Sequence, residues 1–197
     1  MKYPNFFDSV ETMTLYDPLS EALGAFENGI VTYSYVDIVK NAGHSCPTVA
    51  GAYLMVREGL KALYGEEIPQ RGSIKVAFKE AQQESTTGVV AAVFSLVTGA
   101  ASIGGFKGLS GNFIRSGLLF FQEEIPLHVR MTRVDTQQHV DIAYNPNKIP
   151  YDASLQPLMS KLFTKTLGEE EKELFRELWQ EKVRKILENF DKVIELI

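Results

Sequence analysis

The sequence predicts an α+β fold: a mixed or antiparallel sheet with packed helices, followed by a helical C-terminal arm. Three observations predict it. "GSIKVAFK" alternates, with Ile74, Val76 and Phe78 on one side, the period of a strand that buries one face. "CPTVAGAYLMVREGLKALYG" places Val49, Tyr53, Val56, Leu60 and Leu63 at spacings of three and four, which gives one helical face. Beyond the loop "NPNKIP" the character changes to a short helix and then a long charged one. The division that follows is a core over residues 1–150 and a helical extension over 151–197.

The elements follow in order. "PLSEALGAFE" opens on proline and reads as a short helix over 18–27. "GIVTYSYVDIVKNAG" begins with β-branched and aromatic residues, so a strand is expected from Ile30 to Tyr35, then a helical turn from Val36 to Asn41. The helix behind Cys46 runs to Gly65, which supplies its stop. The strand near 73–79 is followed by a buried helix over 86–98. Its apolar run is short and closed by Thr and Gly, so it is no membrane span. "GGFKGLSGNFIRSG" is a glycine-rich loop. The runs "GLLFFQ", "LHVRMTRVD" and "HVDIAYN" read as strands, the last two joined as a hairpin through "TQQ". A short helix near 154–165 precedes the long one, which Thr166 and Glu169 open in capping-box register. Leu174, Leu178, Ile186, Phe190, Val193 and Ile197 form its apolar stripe.

Composition narrows the classes. A chain of 197 residues, 45% hydrophobic and 23% charged, has the makings of one globular domain, or a domain with an appendage. A formal net charge of −5 without any basic block argues against a nucleic-acid partner. The N-terminal stretch "MKYPNFFDSVETMTLYD" has no long apolar run behind basic residues, so no signal peptide is expected. A single cysteine excludes an internal disulfide framework and fits a reducing cytoplasm.

That cysteine, Cys46, stands in "AGHSCPTVAGAYLM", two residues after His44. Pro47 is suited to the first position of a helix, which makes Cys46 the N-cap. A sulfur there lies among unpaired backbone N–H groups, a setting that favours thiolate, the form that binds metals and attacks electrophiles. Across such a loop-to-helix junction an imidazole and a thiolate can chelate one ion. Zinc suits that donor pair best, with nickel, copper or iron acceptable. Further ligands must come from Glu80 or Glu84, from His128 or His139, or from a second subunit; Glu84 is taken as the third ligand. His128 and His139 fall in expected strands and are read as structural. A lone His-x-Cys also fits a plain structural reading, with Cys46 a small hydrophobe and His44 a hydrogen-bonded loop residue. "GGFKGLSG" lacks the spacing of a phosphate-binding loop. Gly105 and Gly108 would let the backbone approach a ligand, with Lys107 offering charge to an anionic substrate; a tight crossover explains the glycines equally well.

Taken together, "AGHSCPTVAGAYLM", "KVAFKE", "TTGVVAAVFSLVTGAASIGGFKGLSGNF" and "GLLFF" resemble the FmdE family, named for one of the polypeptides of formylmethanofuran dehydrogenase. The matching residues are Gly43, His44, Cys46 and Pro47, then Thr98 and Gly99, then Gly105, Lys107, Gly108, Gly111 and Asn112. The resemblance covers roughly residues 30–145 and implies an α+β domain, usually an intertwined homodimer. It implies a metal or catalytic cleft at the His and Cys, where a small molecule would bind. Metal-assisted redox or one-carbon-related chemistry is the corresponding expectation, with Cys46 and Lys107 as catalytic candidates. The alternative is a non-catalytic accessory subunit, or a metal-carrying module, of a larger redox enzyme. The sequence departs from the family in two ways. The central helix reads "ESTTGVVAAVF", without the cysteine and Asp-Ala-Ile-Gln run of archaeal members. No cysteine follows Cys46, so the four-cysteine ribbon of many members is missing. Both departures argue against a formylmethanofuran role and favour a divergent bacterial branch.

Overall fold

The computed structural model describes residues 2–197. It is α+β, as the sequence predicts. Two strands, β1 (Met13–Tyr16) and β2 (Ile30–Tyr33), form an antiparallel ribbon around the short helix α1 (Pro18–Ala22). The main sheet has five strands in the order β4-β3-β5-β6-β7. These are β3 (Ile74–Phe78), β4 (Leu119–Phe120), β5 (Val129–Arg133), β6 (His139–Tyr144) and β7 (Ile194–Leu196). Only the β3–β4 pair is parallel, so the sheet is mixed.

The central helix α3 (Pro47–Tyr64) lies across this sheet and is buried along most of its length. Two glycines let it come so close. A Cβ at Gly51 would stand 2.2 Å from the Tyr144 ring, and one at Gly59 would stand 2.4 Å from the Met131 sulfur. Glycine within a helix costs roughly 1 kcal/mol relative to alanine, and the helix–sheet contact offsets that. Helices α2 (Tyr35–Ala42) and α4 (Thr87–Thr98) pack on α3 from its other sides. Ile74, Val76 and Phe78 are buried together, as their alternation predicts.

Several boundaries differ from the sequence reading. The strand expected to reach Tyr35 stops at Tyr33, because Ser34 and Asp37 form a reciprocal capping box that starts α2 at Tyr35. The run "GLLFFQ" yields a strand of only two residues. The "TQQ" hairpin forms, with β5 and β6 antiparallel.

The C-terminal segment holds α5 (Leu155–Phe163), α6 (Glu169–Glu188) and α7 (Phe190–Val193). The long helix starts later than Thr166 and Glu169 would place it. Its first turn is capped by the Glu171 carboxylate, which accepts the Gly168 N–H at 3.1 Å. Val183, Ile186 and Leu187 are buried where α6 packs on α3, whereas Leu174 is exposed. The buried Lys182 donates to the carbonyls of Pro146 and Ile149, fastening the "NPNKIP" loop to α6. The apolar stripe does not stay helical to Ile197. The helix breaks at Asn189, and β7 joins the sheet beside β6. The β-branched Val193 and Ile194 suit that ending. Among the described residues no helix is long and apolar enough to cross a membrane.

Candidate functional site

Gly43 ends α2 in a left-handed conformation, and three residues then lead into α3. Cys46 is the N-cap of α3, and its sulfur accepts the Val49 N–H at 3.5 Å. Proline at the first helical position fixes this arrangement, as the sequence predicts. Cys46 is half-buried against the core, and His44 is exposed. The His44 Nδ1 lies 3.0 Å from the carbonyl oxygen of Ala42. A carbonyl can only accept, so Nδ1 carries the proton. In the neutral ring the lone pair therefore sits on Nε2, on the side away from the backbone.

The connecting residue Ser45 is held from three directions. Its hydroxyl bonds the Tyr35 phenol at 3.0 Å. Its carbonyl accepts the Trp179 indole N–H at 3.0 Å and the Gln180 amide at 3.3 Å. One residue past Cys46, the Pro47 carbonyl accepts the Tyr144 phenol at 2.7 Å. Elements from both ends of the sequence thus clamp the loop. Burial pushes both phenols, Tyr35 and Tyr144, well above their ordinary value, with Cys46 adding to the effect, so they stay protonated and able to donate.

A cleft of about 220 Å³ opens beside the first turns of α3. Thr48 and Met55 form one wall, Thr86 and Thr87 another, and Glu80, His128 and Tyr144 bring the polar groups. Glu80 accepts the Thr87 hydroxyl at 2.6 Å. His128 lies just before β5, and its Nδ1 faces the Tyr144 N–H at 3.4 Å. Sequence reasoning misses its place in the cleft because the hairpin register that puts it beside Tyr144 is not local. His139 pairs with Thr132 at the opposite end of the same hairpin.

Glu84, expected as a third ligand, is exposed in the turn before α4, where it accepts the Ala81 N–H at 3.3 Å. Among the described residues no three His, Cys, Asp or Glu side chains are grouped to hold one ion, so His44, Cys46 and Glu84 do not form such a set. In one chain the His44–Cys46 pair supplies two donors of the types zinc takes, and zinc takes four.

The glycine-rich loop folds onto itself. A Cβ at Gly105 would meet the Ser116 backbone at 3.0 Å, and one at Gly108 would meet the Asn112 carbonyl oxygen at 2.3 Å. Both glycines therefore serve the chain crossing. Lys107 is exposed and donates to the Ile103 carbonyl within the same loop. No family model matches the sequence, and no curated protein matches it.

Proposed function

We propose that the protein is an FmdE-like metal-binding protein that works as a homodimer and takes a small molecule in the cleft beside α3. The observation that carries this reading is the state of the pair itself. His44 spends its Nδ1 proton on the Ala42 carbonyl and keeps Nε2 as the free donor, while Cys46 stands two residues away at a helix N-cap. Histidine ligands commonly donate their other ring N–H in this way, which orients the ring for the ion. The clamps on Ser45 and Pro47 support the same reading, because a chelating loop held in place loses less entropy on binding.

With two donors from each chain, the remaining positions fall to a second copy, to water or to the ligand. An open position would let the ion act as a Lewis acid on a bound carbonyl or phosphoryl oxygen. His44 and Cys46 are not among the residues that line the cleft; Glu80 and His128 are, and a ligand there would meet them. Exposed apolar residues of the glycine-rich loop, Ile103, Phe106, Leu109 and Ile114, supply surface for a second copy. The same residues fit the other reading, an accessory subunit docked on a larger redox enzyme. A monomer that carries metal would favour it.

The test is elemental analysis of the purified protein beside His44→Ala and Cys46→Ser, with mass measured by sedimentation. About one equivalent of a transition metal per chain, lost in both variants with the fold intact, is the expected result. A metal-free wild type, even after reconstitution with zinc, nickel or iron, overturns the metal reading and leaves Cys46 to thiol chemistry or to structure.

A further inference from the structure

On the far side of the core, a second cleft of about 230 Å³ is walled by Gln70, Arg71, Ser73, Asn112 and Arg115. Behind it lies a group that the sequence keeps far apart. The Asp17 carboxylate receives Arg115 Nη2 at 2.6 Å on one oxygen and Arg71 Nη1 at 2.8 Å on the other. The same carboxylate also caps α1, accepting the Leu19 and Ser20 N–H groups at 3.0 and 3.2 Å. One anion, already shared among four donors, thus faces two guanidiniums. A full positive charge is left over.

That charge is largely shielded from water, although Arg71 is only half-buried. Asp17 is 5% exposed and Arg115 is 6% exposed. Arg71 turns two further donors inward, to the carbonyls of Leu96 and Val97. Arg115 does not: its Nη1 is buried and has no partner among the described residues. Buried guanidinium nitrogens are ordinarily paired, because an unmet donor forfeits its hydration without return. Nη1 lies over Gly72, whose missing side chain leaves it the space; a Cβ there would fall 1.7 Å away. Gly72 lines the same cleft. Burial lowers the Arg115 pKa and Arg71 lowers it further, against the partial relief from Asp17, as an under-neutralised cation requires.

Beside the apolar Pro18, Phe113 and Ile114, the cleft also carries neutral polar groups. The Gln70 amide donates to Ser73 Oγ at 2.8 Å, which leaves the Ser73 hydroxyl proton free for another acceptor. Asn112 is exposed beside it. A compact group with several acceptor oxygens and a negative charge matches this set, since guanidinium and oxyanion geometries are complementary. A cation or an apolar group does not.

We infer that the Arg71–Arg115 cleft is a binding site for a small oxyanion, a carboxylate or a phosphate group, held by the Arg115 guanidinium and the Ser73 and Asn112 side chains. The site is separate from His44 and Cys46, and it stands or falls independently of the metal reading.

The test is thermal unfolding and calorimetric titration of the full chain with inorganic phosphate and, separately, with malonate, each against sodium chloride at matched ionic strength. A saturable rise in melting temperature with either oxyanion, beyond that given by chloride, is expected. Phosphate alone identifies a phosphate site, malonate alone a carboxylate site, and both an oxyanion site without further choice. Because Asn112 is exposed, Asn112→Asp keeps the fold while placing a negative charge at the mouth; affinity falls about tenfold or more. Ser73→Ala gives a smaller loss, and Arg115→Lys, which keeps charge but removes the fork, a larger one. No saturable response to either anion, a response equalled by chloride, or full affinity in Asn112→Asp overturns the assignment.

Discussion

Tyr144 lies across Gly51 with its phenol donating to the Pro47 carbonyl at 2.7 Å, so that one side chain of β6 fixes both the height and the start of α3. Position 51 has no room for anything larger than hydrogen. Gly51→Ala is expected to destabilise the protein by about 1–3 kcal/mol despite alanine's better helix propensity, through overpacking against the half-buried Tyr144 ring. Tyr144→Phe keeps the packing and removes one hydrogen bond, a cost of about 1 kcal/mol. Urea unfolding of both variants checks the order, which reverses if the hydrogen bond outweighs the contact.

Trp179 reaches across 134 residues of sequence to the Ser45 carbonyl. In Trp179→Phe the ring stacking with Phe175 can persist, while the tie to the His44–Cys46 loop is lost. Amide hydrogen exchange over residues 43–49 is expected to quicken in that variant, with the sheet unchanged. Exchange no faster than wild type would mean that Gln180, Tyr35 and Tyr144 hold the loop without the indole.

Asp17 links the stability of the fold to acid pH. Burial alone would raise its pKa; hydrogen bonds from Arg71 and Ser20 and the charges of Arg115 and Arg71 outweigh that and hold it below its ordinary 3.8. A carboxylate with a lowered folded-state pKa adds stability that is present above the unfolded value and is lost as pH falls through the folded one. Stability should therefore drop steeply below about pH 4. Asp17→Asn should be destabilised by about 3 kcal/mol at pH 7, because it strands two guanidiniums, and should show a flatter acid limb. Equal slopes in the two proteins would assign acid unfolding to other carboxylates.

The last strand closes the sheet. Ile197 and Asp141 exchange both backbone hydrogen bonds, at 3.0 and 3.1 Å, and β7 covers the edge of β6. Removing residues 194–197 exposes a long strand edge with unmet N–H and C=O groups. The truncated chain is expected to lose stability and to self-associate at concentrations where the full chain does not. Light scattering beside a thermal melt reads both effects.

What the sequence determined by itself is what lies within a few residues of chain. Pro47 after Cys46 and the spacing of Val49, Tyr53, Val56, Leu60 and Leu63 were enough to define α3 and its N-cap, since capping and helical periodicity are local. The alternation of Ile74, Val76 and Phe78 gave β3 and its buried face for the same reason. The α+β class followed from those patterns. The end of the chain was less legible: Val193 and Ile197 continue a helical stripe on paper, yet partnership with β6, available only once the sheet exists, turns the segment into a strand. Tertiary structure alone decided which polar groups meet. Glu80 and His128 share a cleft because β3 and β5 pair antiparallel, with Phe78 opposite Val129. Asp17 meets Arg71 and Arg115 across 54 and 98 residues. No local propensity encodes such separations; they arise when burial of the apolar faces fixes the register and brings the remaining charges together, away from water.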